Sequence, residues 1–193
     1  MTNFVLENRS FNVYRAAHSL SENEITAFEG QIGTQLPFQL RSFYLHWNGG
    51  LPYPTDIPDD KSAWVRLYWA KGVKAAQGGP AACFQGLFRI NEEPAIDFLR
   101  TWNDFKHRIP QDVLCFARDP GGSQFVIGIK EYNLGKIFFW DRDYEADIDD
   151  GETPNYDNIA FVANSFTEFL LALREEPDEG ESLEDWVKRV YTE

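Results

Sequence analysis

The densest chemistry in this chain lies between Asp141 and Glu152. Asp141, Asp143, Glu145, Asp147, Asp149, Asp150 and Glu152 stand there against a single base, Arg142. Acids at alternate positions suggest a calcium loop, which needs a glycine at its sixth position for a sharp turn and a bidentate glutamate at its twelfth. Counted from Asp141, position twelve is Glu152 but position six is Ala146. The turn is missing, and calcium binding is not expected. His18, His46 and His107 are isolated, with no Cys-x-x-Cys or His-x-x-x-His spacing, so no metal site is expected either. Nucleophilic catalysis lacks its signatures. Gly121-Gly122-Ser123 belongs to a turn between strands rather than to a strand-to-helix elbow. Gly78-Gly79-Pro80 lacks the Lys-Ser/Thr and helix start of a phosphate loop. Cys83 and Cys115 each precede a phenylalanine and read as core thiols. No catalytic residue and no cofactor are expected.

A second acidic block runs from Glu175 to Asp185 without a base. Together the two blocks account for the whole formal net charge of −13. Charge concentrated this way makes local fields, which attract a basic partner or keep loops solvated. The same fields repel phosphates, so nucleic-acid binding is not expected.

The elements that position these residues are legible from periodicity and caps. Ser21 and Glu24 form a capping box, followed by Ile25, Phe28 and Ile32 at helical spacing and Gly33 as the stop. A second helix opens at Leu36-Pro37, carries Leu40, Phe43, Tyr44 and Trp47 on one stripe, and ends at Asn48-Gly49-Gly50. Residues 51–63 and 75–82 read as loops, Trp64–Ala70 as an edge strand, Cys83–Ile90 as a strand, and Glu93–Phe105 as a helix with Pro94 in its first turn. Val113–Ala117, Gln124–Lys130 and Lys136–Asp141 alternate between the turns Asp119-Pro120-Gly121-Gly122 and Asn133-Leu134-Gly135, which predicts an antiparallel meander. Ile159–Ala163 is a last strand. Ser165 and Glu168 open a helix with Phe166, Phe169, Leu170 and Leu173 on one face. Ser182 caps a short helix with Leu183, Trp186, Val187 and Val190. The expected class is α+β, a meander with helices packed on one face.

At 193 residues one domain over 1–193 is expected, with a core at about 21–173 and an extra helix at about 182–191. A composition 43% hydrophobic and 16% aromatic excludes a disordered chain. No apolar run approaches a membrane span, no secretory leader is expected from the polar first residues, and two unpaired-looking cysteines suit a reducing compartment. A cytoplasmic protein without membrane contact is expected.

Three linked motifs carry a family resemblance. They are Ile25-x-x-Phe28-Glu29-x-x-Ile32-Gly33-x-x-Leu36-Pro37, then Phe43-Tyr44-x-x-Trp47-Asn48-Gly49-Gly50, then Phe116-Ala117-Arg118-Asp119-Pro120-Gly121-Gly122-Ser123-Gln124-Phe125 followed by Gly135-Lys136-Ile137-Phe138-Phe139-Trp140-Asp141. In order and spacing they resemble the SUKH superfamily, in particular its branch related to the fungal cell-wall synthesis regulator, over about residues 21–173. The chain departs from the common pattern in a long stretch from Leu51 to Ala82 and in the final helix Leu183–Tyr191.

The resemblance implies an α+β scaffold without enzymatic activity. It implies a bacterial immunity protein that binds and neutralises a cognate polymorphic toxin, with a nuclease as the toxin class, or else a regulatory scaffold for a cellular protein. The acid density beside Trp140 makes Trp140, Asp141, Asp143, Glu145, Asp147, Asp149 and Asp150 the expected contact residues for a basic toxin. The motif glycines and aromatics are expected to serve turns and core.

Overall fold

A computed structural model describes residues 2–191. Among these, eleven strands form three antiparallel sheets and five α-helices pack around them. The chain opens with a hairpin, β1 (Thr2–Leu6) and β2 (Arg9–Tyr14), then α1 (Glu22–Ile32) and α2 (Phe38–Trp47). β3 (Leu51–Pro54) completes a sheet of order β1-β2-β3. The strands β4 (Ala63–Arg66), β5 (Ala81–Phe84) and β6 (Gly86–Leu87) lead to α3 (Phe98–Phe105). The meander follows as β7 (Val113–Arg118), β8 (Gln124–Gly128), β9 (Ile137–Trp140) and β10 (Ile159–Ala163). The chain ends in α4 (Phe166–Ala172), β11 (Arg174–Glu175) and α5 (Leu183–Val190). The central sheet has the order β10-β9-β8-β7-β6, and a third sheet has the order β11-β4-β5.

Local sequence dictates the helix ends. The Glu24 N–H donates to Ser21 Oγ at 3.3 Å while the Ser21 N–H donates to Glu24 Oε2 at 2.8 Å, the reciprocal pair of a capping box. Gly33 takes the left-handed conformation that ends α1. Buried Glu29 holds the α1–α2 corner, accepting from the Leu36 N–H at 2.9 Å and from Arg41 Nε at 3.1 Å. At α4, Ser165 accepts from the Glu168 N–H, but the Glu168 carboxylate reaches past Ser165 to the backbone and side-chain N–H of Asn164.

One aromatic core ties the layers together. Phe139 pairs across strands with Phe125, and the Phe125 ring meets Phe169 of α4 at 5.3 Å. Trp140, next in sequence, points to the opposite face of the sheet and meets Phe105 of α3 edge-on at 5.6 Å. Phe98 of α3 stacks near Phe28 of α1 and Tyr44 of α2.

Four boundaries differ from the sequence reading. The supposed loop after Gly50 contains β3, whose Pro52 and Pro54 are tolerated because this edge strand pairs only with β2. Trp64 lies on β4, the middle strand of its sheet rather than an edge. Cys83–Ile90 splits at Gly86, whose φ of +127° lets the chain leave one sheet for another. The third helix starts at Phe98, because Asp97 caps it by accepting from the Arg100 N–H at 2.8 Å. The β1–β2 hairpin went unrecognised because its turn, with Glu7 at φ +51°, lacks glycine. No helix among the described residues is long and apolar enough to cross a membrane.

Candidate partner-binding surface

The acidic loop leaves the sheet at the end of β9 and returns at β10. Its base is locked by backbone and side chain: the Asp141 N–H donates to the Asn158 carbonyl at 2.9 Å, and buried Asn158 returns Nδ2 to the Asp141 carbonyl at 2.7 Å. A 3-10 turn, Arg142–Tyr144, follows, capped by Asp141 Oδ1 accepting from the Asp143 N–H at 3.0 Å.

The seven expected contact residues separate into three groups. Trp140 is only 1% exposed; its ring lies under Arg108, whose guanidinium sits 5.5 Å from it and 4.6 Å from Phe105. Expected as a contact, Trp140 instead forms the floor of the loop, because the strand register turns it inward. Asp141 is 8% exposed and also turned inward. Glu145 is already paired: Arg108 donates to it in bidentate fashion, Nε to Oε2 at 2.8 Å and Nη2 to Oε1 at 2.6 Å. Asp143, Asp147, Asp149 and Asp150 are exposed and make no ion pair among the described residues.

Local hydrogen bonds nevertheless brace the loop backbone. The Asp150 N–H donates to Asp147 Oδ1 at 3.1 Å, and the Asp147 N–H donates to Glu152 Oε2 at 2.8 Å. Ile148 stands 41% exposed among them. A surface depression of about 490 Å³ is lined by Arg108, Glu145, Ala146, Asp147, Ile148 and Asp149. The arrangement is an apolar tip within an uncompensated negative rim, suited to long-range attraction of a cationic surface.

The second acidic block behaves differently. Glu181 receives a bidentate donation from Arg189, at 2.8 and 2.6 Å, and Asp178 lies 3.3 Å from the same guanidinium. Glu176 accepts from the Ser62 N–H and approaches Lys61 at 3.5 Å. Asp185 pairs with Lys188. Hydrogen bonds from these partners hold the Glu176, Glu181 and Asp185 carboxyls below their ordinary range. This block fastens α5, whose Trp186 is fully buried and donates Nε1 to the Glu175 carbonyl at 2.8 Å.

The cysteines are poor nucleophiles. Burial pushes the Cys83 thiol up to about 11 and raises that of Cys115 further. Cys83 is half-buried rather than core, and His107 is exposed with no hydrogen bond to it. Among the described residues no three His, Cys, Asp or Glu side chains are placed to hold a metal ion. Arg108 is the functional residue that sequence reasoning missed. It lies 37 positions from Glu145, and no local pattern marks such a pairing.

Residues 19–172 match the model of the family described as SMI1 / KNR4 family (SUKH-1). The chain is also 25% identical over 173 residues to the SPbeta prophage-derived uncharacterized protein YokK of Bacillus subtilis (strain 168), covering 88% of this chain and 83% of that protein.

Proposed function

From the premise that the chain belongs to the SMI1 / KNR4 family (SUKH-1), we propose that it is an immunity protein that binds and neutralises a toxin, acting by contact rather than by catalysis in the cytoplasm. The observation that carries this reading is the loop itself. Asp143, Asp147, Asp149 and Asp150 stand exposed and unpaired on a base fixed by Asn158 and Arg108. A surface that presents four like charges without counterions among the described residues is suited to a partner that supplies them. A nuclease fits, because it must present Lys and Arg to hold phosphates. The prophage derivation of the relative in Bacillus subtilis suits a mobile toxin–immunity pair.

Co-expression tests the reading. Cells producing the toxin encoded beside this gene should resume growth when the chain is supplied, and the two proteins should co-purify. Growth arrested by every adjoining candidate toxin, with no co-purification, would overturn the reading in favour of a regulatory scaffold for a cellular protein.

A further inference from the structure

A second concavity opens where the third sheet meets the β7–β8 turn. It has a volume of about 460 Å³, and its walls include Trp64, Trp69, Phe139, Tyr144, Asp119 and Asp141. That size is in the range of specific small-group pockets. Leu183 of α5 closes one side, so the cleft depends on the helix beyond the family match.

Its polar groups are incompletely satisfied. Asp141 is more than nine-tenths buried and lines the cleft. Its Oδ1 is engaged by the Asp143 N–H, whereas no donor among the described residues reaches Oδ2. That oxygen lies 3.0 Å from where a Cβ on Gly78 would stand, so the glycine leaves room beside it. Asp119 Oδ1 is buried without a hydrogen-bond partner, and so is the indole N–H of Trp64. Buried polar atoms are seldom left unpaired, and both of these belong to residues that line the cleft. Arg142, adjacent to Asp141, lies over Gly122, and Arg118, adjacent to Asp119, donates to the Ala95 carbonyl; among the described residues neither pairs with these carboxylates. Burial raises both carboxyls above their ordinary range. The charge of Asp141 raises Asp119 further, against the pull of the Gly121, Ser123 and Gly122 N–H groups.

A cation with several donors would complement the two carboxylates. A divalent metal would need six or more oxygen ligands, and no such group is assembled here. Aromatic walls favour a planar, weakly hydrated cation over a compact ammonium.

We propose that this cleft receives an arginine side chain projected by the partner, its guanidinium bound between Asp119 and Asp141 against the aromatic walls. The identification of the partner as a protein rests on the immunity reading, while the cation site itself is testable without any toxin.

The experiment follows the indole N–H resonances of Trp64 and Trp69 in the full chain, assigned through Trp64→Phe and Trp69→Phe. The probes are N-acetyl-arginine amide and its neutral isostere N-acetyl-citrulline amide. A saturable shift with arginine only, weakened tenfold or more in the Asp119→Asn/Asp141→Asn double variant, is the expected result. Asparagine keeps the oxygen that caps the Arg142–Tyr144 turn, so the variant retains the local fold. No saturable shift, equal response to citrulline, or unchanged affinity in the double variant would overturn the proposal. Such a failure leaves the co-expression result untouched, and a failure to protect cells leaves the titration untouched.

Discussion

Arg108 grips Glu145 through two parallel hydrogen bonds while its guanidinium rests on the rings of Phe105 and Trp140. This contact ties the acidic loop to the floor of the sheet. It neutralises Glu145 beside the sheet and leaves the exposed carboxylates farther out uncompensated.

Cutting that contact should therefore loosen the loop more than it unfolds the protein. The pair is about one-third exposed, so Arg108→Ala is expected to cost only about 1 kcal/mol of global stability by chemical denaturation. Amide exchange between Ala146 and Asp150 should accelerate in the same variant, while β7 and β8 keep their protection. Unchanged exchange in the loop would show that the Asp141–Asn158 lock holds it alone.

Charge reversal addresses the encounter with the toxin. Asp143→Lys, Asp147→Lys and Asp149→Lys together should slow association roughly ten- to hundredfold at low salt, with dissociation changed far less. The difference from the unmodified chain should shrink as ionic strength rises. Stopped-flow rates that keep their value and their salt dependence after the three changes would remove the loop as the docking surface.

Asn48 supplies a structural prediction. Its side chain donates Nδ2 to the Ile90 carbonyl at 3.0 Å and accepts from the Ile90 N–H at 2.8 Å, all four groups buried. Asn48→Ala leaves both Ile90 groups unpaired, with an expected loss of about 2–4 kcal/mol. Asn48 also sits at φ +44°, a conformation that alanine adopts less readily. Thermal or urea denaturation checks the value.

The cleft makes a prediction about pH. The folded Asp119 and Asp141 carboxyls are raised above their ordinary value. The native state therefore binds their protons more readily than the unfolded chain does, and their contribution is lost as pH rises through the folded values. Asp119→Asn with Asp141→Asn removes this term, so the stability gained by the variant relative to the parent should be larger at pH 7 than at pH 4. Denaturation curves at the two pH values with the same difference would contradict the assignment. The lowered Glu176 and Glu181 act oppositely, losing stabilisation as pH falls through their folded values.

Much of the fold was readable before any coordinates. The Ser21–Glu24 box, the stripe Leu40, Phe43 and Tyr44, the turn Asp119–Gly122 and the alternating strands after it all appear where local rules place them. The ordered motifs also sufficed to point to the family that residues 19–172 match. The strand β3 escaped because Pro52 and Pro54 look like loop residues. Only pairing with β2 makes Pro52 and Pro54 acceptable edge-strand positions.

The amino-acid sequence by itself determined the helix ends, the meander, the family and where the negative charge is stored, since caps, turns and periodicity act between neighbours along the chain. Tertiary structure alone decided which of those charges are free. Glu145 is claimed by Arg108, Glu181 by Arg189 and Asp141 by the interior, whereas Asp143, Asp147, Asp149 and Asp150 stay outside and unpaired. Whether a carboxylate is neutralised depends on distance and burial in space, and for pairs as remote as Arg108 and Glu145 no local spacing encodes either.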